Sequence, residues 1–168
     1  MSAIIIPPVV WIDRCNTGVQ IIDEQHKKIF NRLNDLGFVL NFPRRSSFKT
    51  SDRLIKTILR HFEYEEHLMG KAEYGYILLH KTAHSMFVKK MENIRKRLKE
   101  QEKEAAHDLH SLVLMWFLKH IQIEDQLYLP SLRIIPQSLQ RIKIPSLAVE
   151  KRMTFQERLW NIGNMPIF

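Results

Sequence analysis

Histidines and a glutamate recur at metal-ligand spacing in the stretch HFEYEEHLMGKAEYGYILLHKTAH, residues 61–84. His61 and Glu65 are four residues apart, as are His80 and His84, and side chains at that interval share one face of an α-helix. Each pair can therefore grip one site. A single unbroken helix would hold Glu65 and His80 about 22 Å apart, too far to serve one metal cluster. Gly70 and Gly75 offer a break, after which two antiparallel helices set an imidazole and a carboxylate against two imidazoles. Thiolate-free, imidazole-rich ligation suits iron, copper, nickel or zinc, and the carboxylates and the number of ligands lean towards iron.

Four helices are needed to position such a group. The first is expected from about Gly18 to Asn41, with Val19, Ile22, Ile29, Phe30, Leu33, Leu36 and Leu40 forming its apolar face. His26 lies near that face; taken alone, it reads as an ordinary core or surface histidine. NFPRRSSFKT is a loop, and Thr50 or Ser51 is expected to cap a second helix from about Asp52 to Met69. On it Leu54, Ile55, Ile58, Leu59, Phe62 and Met69 point inward beside His61 and Glu65. Glu66 and His67 are turned about 100° and 200° from Glu65, towards solvent or positions supporting the ligands. A third helix starts at Tyr74 to Tyr76 and runs through KKMENIRKRLKEQEKE, whose alternating charges read as a solvated face. A turn is required between Glu100 and Asp108, with His107 and His110 beside it and without ligand roles. The fourth helix, LVLMWFLKHIQIEDQLYL, carries His120, and Pro130 marks its end. Glu124 at i+4 and Asp125 at i+5 compete as its carboxylate partner. Regular helix spacing favours Glu124 and turns Asp125 about 140° away around the axis, so the residues alone leave the choice open.

With 168 residues, 45% of them hydrophobic, the chain can build one domain and an appendage. Only five glycines and few alternating β-branched runs indicate an all-α fold, a four-helix bundle over 1–130 with a C-terminal extension over 131–168. Cys15 is the single cysteine and cannot form an internal disulfide, which is compatible with a reducing cytoplasm. The apolar start MSAIIIPPVVW lacks a basic region and is interrupted by Pro7 and Pro8, so it does not read as a secretion signal. A net charge of +8 invites a nucleic-acid or membrane partner. Half of it falls outside the bundle, because residues 131–168 hold six Lys/Arg against two Asp/Glu. Neither partner is therefore expected; Thr154 and Glu157 fit a capping box for one short amphipathic helix in that stretch.

Five imidazoles, Glu65 and one further acid are too few to saturate two octahedral metals unless carboxylates bridge them. The His-x-x-x-Glu order differs from the Glu-x-x-His repeats of carboxylate-rich di-iron bundles. Neutral nitrogen ligands leave less negative charge to stabilise highly oxidised iron, which favours reversible O2 binding over oxygen activation.

The runs TGVQIIDEQHKKIF after Trp11, HFEYEEHLM, HKTAH and HIQIED together resemble the hemerythrins, most closely the bacterial hemerythrin domains. The resemblance covers about residues 11–129. It implies an up-down-up-down four-helix bundle with two iron ions and a bridging oxo or hydroxo group, binding O2 for sensing, delivery or buffering. It also implies that His26, His61, His80, His84 and His120 are terminal ligands and that Glu65 and Asp125 bridge, which resolves the choice on the fourth helix. Three histidines, His80, His84 and His120, would then serve a saturated iron, and His26 with His61 the open one. Ile29, Phe62, Trp116 and Phe117 resemble the apolar wall of the O2 pocket. Phe117 stands where relatives often carry leucine. The extension would connect to a signalling module or partner; the competing reading of the same ligands is a di-iron oxidase, peroxidase or nitric-oxide-handling protein.

Overall fold

The structure, a computed structural model, describes residues 5–42 and 47–133. Helix α1 spans Gln20–Leu40, α2 Ser47–Lys71, α3 Ile77–Lys99 and α4 Ala105–Lys119. A π-helical turn, His120–Glu124, joins α4 to α5, Asp125–Leu132. Each of the first three helices packs on its successor and α4 closes against α1, so the four rods form an antiparallel bundle. The described residues contain no strand, and none of their helices is long and apolar enough to cross a membrane.

Several boundaries differ from the sequence expectation. Helix α2 begins by Ser47, so Thr50 and Ser51 lie inside it and Ser51 is buried. The apolar period extends back through that turn, and Asp52 pairs with Lys56 and Arg95, each at 2.7 Å, where a helix start had been expected. The α2–α3 break uses neither Gly70 nor Gly75 as its left-handed residue. Glu73 takes that role at φ 49°, and the Tyr74 N–H donates to the Met69 carbonyl at 3.0 Å. Gln101 at φ 59° closes α3 in the same way, with the Glu102 N–H on the Arg97 carbonyl. Both ends are Schellman closures built without glycine. Helix α4 starts two turns earlier than its most apolar run, which places His110 within it, buried against Gly37 of α1. Pro130 does not end the last helix; it sits inside α5. The capping box at Thr154 and the extension over 131–168 lie almost wholly outside the described residues.

Two apolar clusters fill the bundle. The larger contains Ile29, Phe30, Leu33, Ile58, Phe62, Phe87 and Phe117; the smaller contains Ile22, Tyr64, Leu68, Met69, Tyr128 and Leu132. On α1 His26 falls between Ile22 and Ile29, and on α2 Glu65 falls between Phe62 and Leu68. On the last rod His120 and Asp125 fall between Phe117 and Tyr128. One buried polar layer thus divides the core at the same height on each helix, and such a layer is unfavourable unless its groups are paired or hold a metal.

An extended arm precedes α1 and lies along it. Asn41 Nδ2 donates to the Ile6 carbonyl and its Oδ1 accepts from the Ile6 N–H; Asn34 binds Val9 in the same two-bond fashion, all at 2.7–3.0 Å. The register follows from geometry: seven helical residues rise about 10.5 Å, and three extended ones span about 10 Å. Farther along the arm, Trp11 packs edge-on against Phe30, with ring centroids 5.4 Å apart. Four hydrogen bonds at about 0.5–1.5 kcal/mol each hold the arm. The double substitution Asn34→Ala, Asn41→Ala is therefore expected to speed tryptic cleavage after the exposed Arg14 by roughly tenfold or more, while helical content stays unchanged. An unaltered cleavage rate would show that Trp11 alone anchors the arm.

Candidate metal centre

The polar layer contains His26, His61, Glu65, His80, His84, His120 and Asp125, each 6% exposed or less. The i,i+4 spacing does what helical periodicity requires of it: His61 Nε2 lies 3.4 Å from Glu65 Oε2, and His80 Nε2 lies 3.1 Å from His84 Nε2. His26 Nε2 is 3.0 Å from His61 Nε2, and His84 Nε2 is 3.0 Å from His120 Nε2. Two groups result, each with donor atoms within 4.8 Å of one another. One is Glu65, His80, His84 and His120; the other is His26, His61, Glu65 and Asp125. Glu65 belongs to both.

The π-helical turn decides how the last rod contributes. In a regular helix only the residue at i+4 lies over His120. The wider turn brings both following acids to the same ring: Glu124 Oε2 is 2.8 Å from Nδ1 and Asp125 Oδ1 is 2.9 Å from Nε2. Asp125 Oδ1 also lies 3.6 Å from His80 Nε2, and its Oδ2 lies 3.4 Å from His26 Nε2. Its carboxylate therefore stands between the two groups. Glu124, 31% exposed, stays behind the ring.

The donor set fits metal ions. Nitrogens bound about 2.1 Å from one ion along an octahedral edge are about 3.0 Å apart, which is the spacing of the neighbouring Nε2 atoms here. Glu65 Oε2 and both Asp125 oxygens are buried with no hydrogen-bond partner among the described residues. Outer partners fix the ring tautomers. Gln25 Oε1 accepts from His61 Nδ1–H at 3.1 Å, Glu66 Oε1 from His84 at 3.0 Å and Glu124 from His120, which makes Nε2 of each ring the inward-facing atom that a metal would bind on displacing any proton there.

Without metal, the buried imidazoles and carboxylates of the layer shift one another's pKa values. Burial alone would lower His26, but the facing carboxylates of Asp125 and Glu65 overcome it and raise its pKa to about 9. His120 is raised to about 10, again against its burial, by Asp125, Glu124 and Glu65. Burial dominates at His61 and lowers it to about 3. Glu65 is held well below the usual carboxylate range despite its burial, by His61, His26, His80 and His84. Protons on imidazoles thus balance the carboxylates where cations would.

The chain matches the Hemerythrin HHE cation binding domain over residues 17–132. It belongs to the hemerythrin family. A bacteriohemerythrin of Stenotrophomonas maltophilia is 31% identical over 121 residues, 71% of this chain and 78% of that protein. The bacteriohemerythrin of Methylococcus capsulatus is 34% identical over 117 residues, 69% of this chain and 89% of the relative. A crystal structure of wild-type hemerythrin superposes with a TM-score of 0.68 at 32% identity, covering 74% of this chain and 97% of that one.

Within this hemerythrin fold the four residues expected to wall a pocket divide between the two groups. Phe117 packs edge-on against His26 and His61, at 5.5 and 5.9 Å between ring centroids. Phe62 instead stacks on His84 at 3.8 Å, and Trp116 on His120 at 4.2 Å. Ile29 is fully buried on α1, one turn beyond His26. Two supporting residues escaped the sequence reading. Gln25 is adjacent to His26 yet serves His61 on another helix, and no local spacing reveals that. Tyr128 donates its hydroxyl to Glu65 Oε1 at 2.6 Å; its position three residues after Asp125, on the same helical face, was the available signal. Tyr128→Phe leaves that oxygen without a donor, and the metal-free protein is expected to lose about 1–3 kcal/mol, read as a lower thermal midpoint.

Proposed function

We propose that the chain binds O2 reversibly at a non-haem di-iron centre. His26 and His61 would hold one iron and His80, His84 and His120 the other, with Glu65 and Asp125 shared between them and an oxo or hydroxo group as the remaining ligand. The observation that carries this reading is the division of seven buried donors into a three-histidine and a two-histidine group around shared carboxylates. When bound, the iron pair would supply the electrons for O2 binding, with O2 taken up on the two-histidine side.

The chain's own residues then protect that position. Phe117 lies edge-on over both of its histidines, and Ile29, Phe30 and Trp11 extend the apolar surround, excluding the water and protons that would divert O2 binding into oxidation. Phe62 and Trp116 stack on the rings of the three-histidine side and hold their planes. The neutral imidazoles favour binding over oxygen activation. The extension over 131–168, all but its first two residues beyond the matched domain, acts as a basic connector to a signalling partner in the cytoplasm, making sensing the favoured use.

Stopped-flow mixing of the diferrous protein with O2 tests the proposal. A visible absorption band that forms with O2 and bleaches under argon supports reversible binding. Rapid decay to ferric protein with turnover of a reductant would replace it with an oxidase.

A further inference from the structure

The outer partners of the histidines differ in charge between the two halves of the site. On the three-histidine side two imidazoles are backed by carboxylates, His84 by Glu66 at 3.0 Å and His120 by Glu124 at 2.8 Å. On the two-histidine side His61 is backed by the neutral amide of Gln25 at 3.1 Å. His26 Nδ1 is buried and has no hydrogen-bond partner among the described residues. The elements explain how this arises. Glu66 follows Glu65 on α2 and turns towards α3, where Lys81 Nζ also approaches it at 4.0 Å. Glu124 reaches His120 Nδ1 because the π-helical turn keeps it near that ring while Asp125 takes Nε2. Gln25 precedes His26 on α1 and crosses to α2.

An imidazole whose Nδ1–H donates to a carboxylate gains electron density at Nε2 and becomes a stronger donor to a metal; such outer partners commonly change metal affinity by about 10–100-fold. An amide carbonyl fixes the tautomer with little of that transfer. From this we infer that Glu66, Glu124 and Gln25 are positioning residues that make the two metal positions unequal. Glu66 and Glu124 create a tight position on the three-histidine side, and Gln25 keeps the two-histidine position weak, so that the two ions load in sequence. The inference rests on the two-metal reading above and adds to it an order of filling set by residues that touch no ion. The number of histidines already favours the same side, so the test must isolate the outer partners.

Metal-free full-length protein is titrated anaerobically with iron(II), and in a parallel series with cobalt(II), to obtain two stepwise affinities. The substitutions Glu66→Gln with Glu124→Gln keep shape and hydrogen-bonding reach while removing charge. They are expected to weaken the first step by roughly 10–100-fold and leave the second within a few-fold. Gln25→Glu is expected to act in the opposite sense, tightening the second step by roughly tenfold and leaving the first unchanged. A merely structural role would weaken both steps in every variant. Circular dichroism of the metal-free forms confirms folding, and Gln25→Glu decides the question alone if the double variant does not fold. Two ions bound with a separation that none of these changes moves would overturn the inference and leave the two-metal reading intact. Uptake of fewer than two ions by the unsubstituted chain would overturn that reading and the inference with it.

Discussion

Asp125→Ala protein is expected to fold, and to retain at most one metal ion per chain after desalting, whereas Glu124→Ala protein retains two. Asp125 is fully buried, and its two oxygens face His120 and His80 on one side and His26 on the other, at 2.9, 3.6 and 3.4 Å. Removing it deletes a donor that both groups share and leaves raised imidazoles without their counter-charge. Glu124 reaches only the outer nitrogen of His120, so its loss weakens one ligand without removing any. Metal analysis of both purified proteins checks this. Loss of both ions from Glu124→Ala with retention in Asp125→Ala would mean that the fourth rod is a regular helix through His120.

The metal-free protein is expected to be most stable near pH 6.5 and to lose stability on both sides. A histidine with a folded pKa above its unfolded value near 6.5 stabilises the fold fully below 6.5 and ceases to as the pH rises through the folded value. His26 at about 9 and His120 at about 10 therefore destabilise the fold progressively between pH 6.5 and 10. On the acid side His61, lowered to about 3, stays neutral while its unfolded counterpart takes a proton, so stability falls as the pH drops from 6.5 towards 3. Glu65 and Asp125, both lowered in the fold, add to the loss as the pH falls through the carboxylate range. Bound metal removes the alkaline limb, because ligation requires those imidazoles unprotonated. Near pH 7 loading must therefore expel the protons of His26 and His120. Thermal midpoints across pH 5–10 with and without metal, together with calorimetry in buffers of different ionisation enthalpy, measure both effects. A metal-free midpoint that rises between pH 7 and 9.5 would show that these imidazoles are neutral in the fold.

The pairs His61/Glu65 and His80/His84 were legible because a regular helix repeats its face every four residues, and both fall on regular helix. Asp125 was not, because its alignment with His120 depends on one widened turn for which the local sequence HIQIED gives no propensity signal. The resemblance to hemerythrins singled out Asp125, and the π-helical turn accounts for its alignment with His120. The break before α3 was legible as a necessity, since one unbroken helix would hold Glu65 and His80 too far apart to share a site, but not as a mechanism. Glycine is the usual left-handed residue, yet Glu73 and Gln101 fill that role. Gln25 and Tyr128 stayed hidden because each bonds a side chain of the polar layer on a different element, a relation that only tertiary packing creates.

The asparagine pairs on α1 bear on how fast anything small reaches the interior. A segment fastened through two side-chain amides detaches in small, frequent fluctuations that leave the helices intact. Trp11 moves with it, and so does part of the cover over the side of the bundle nearest His26. Entry and escape of a diatomic gas would then follow the temperature and mild-denaturant response of that local detachment, with shallow slopes reflecting few exposed residues. The steep slopes of cooperative unfolding would belong to loss of the ions alone.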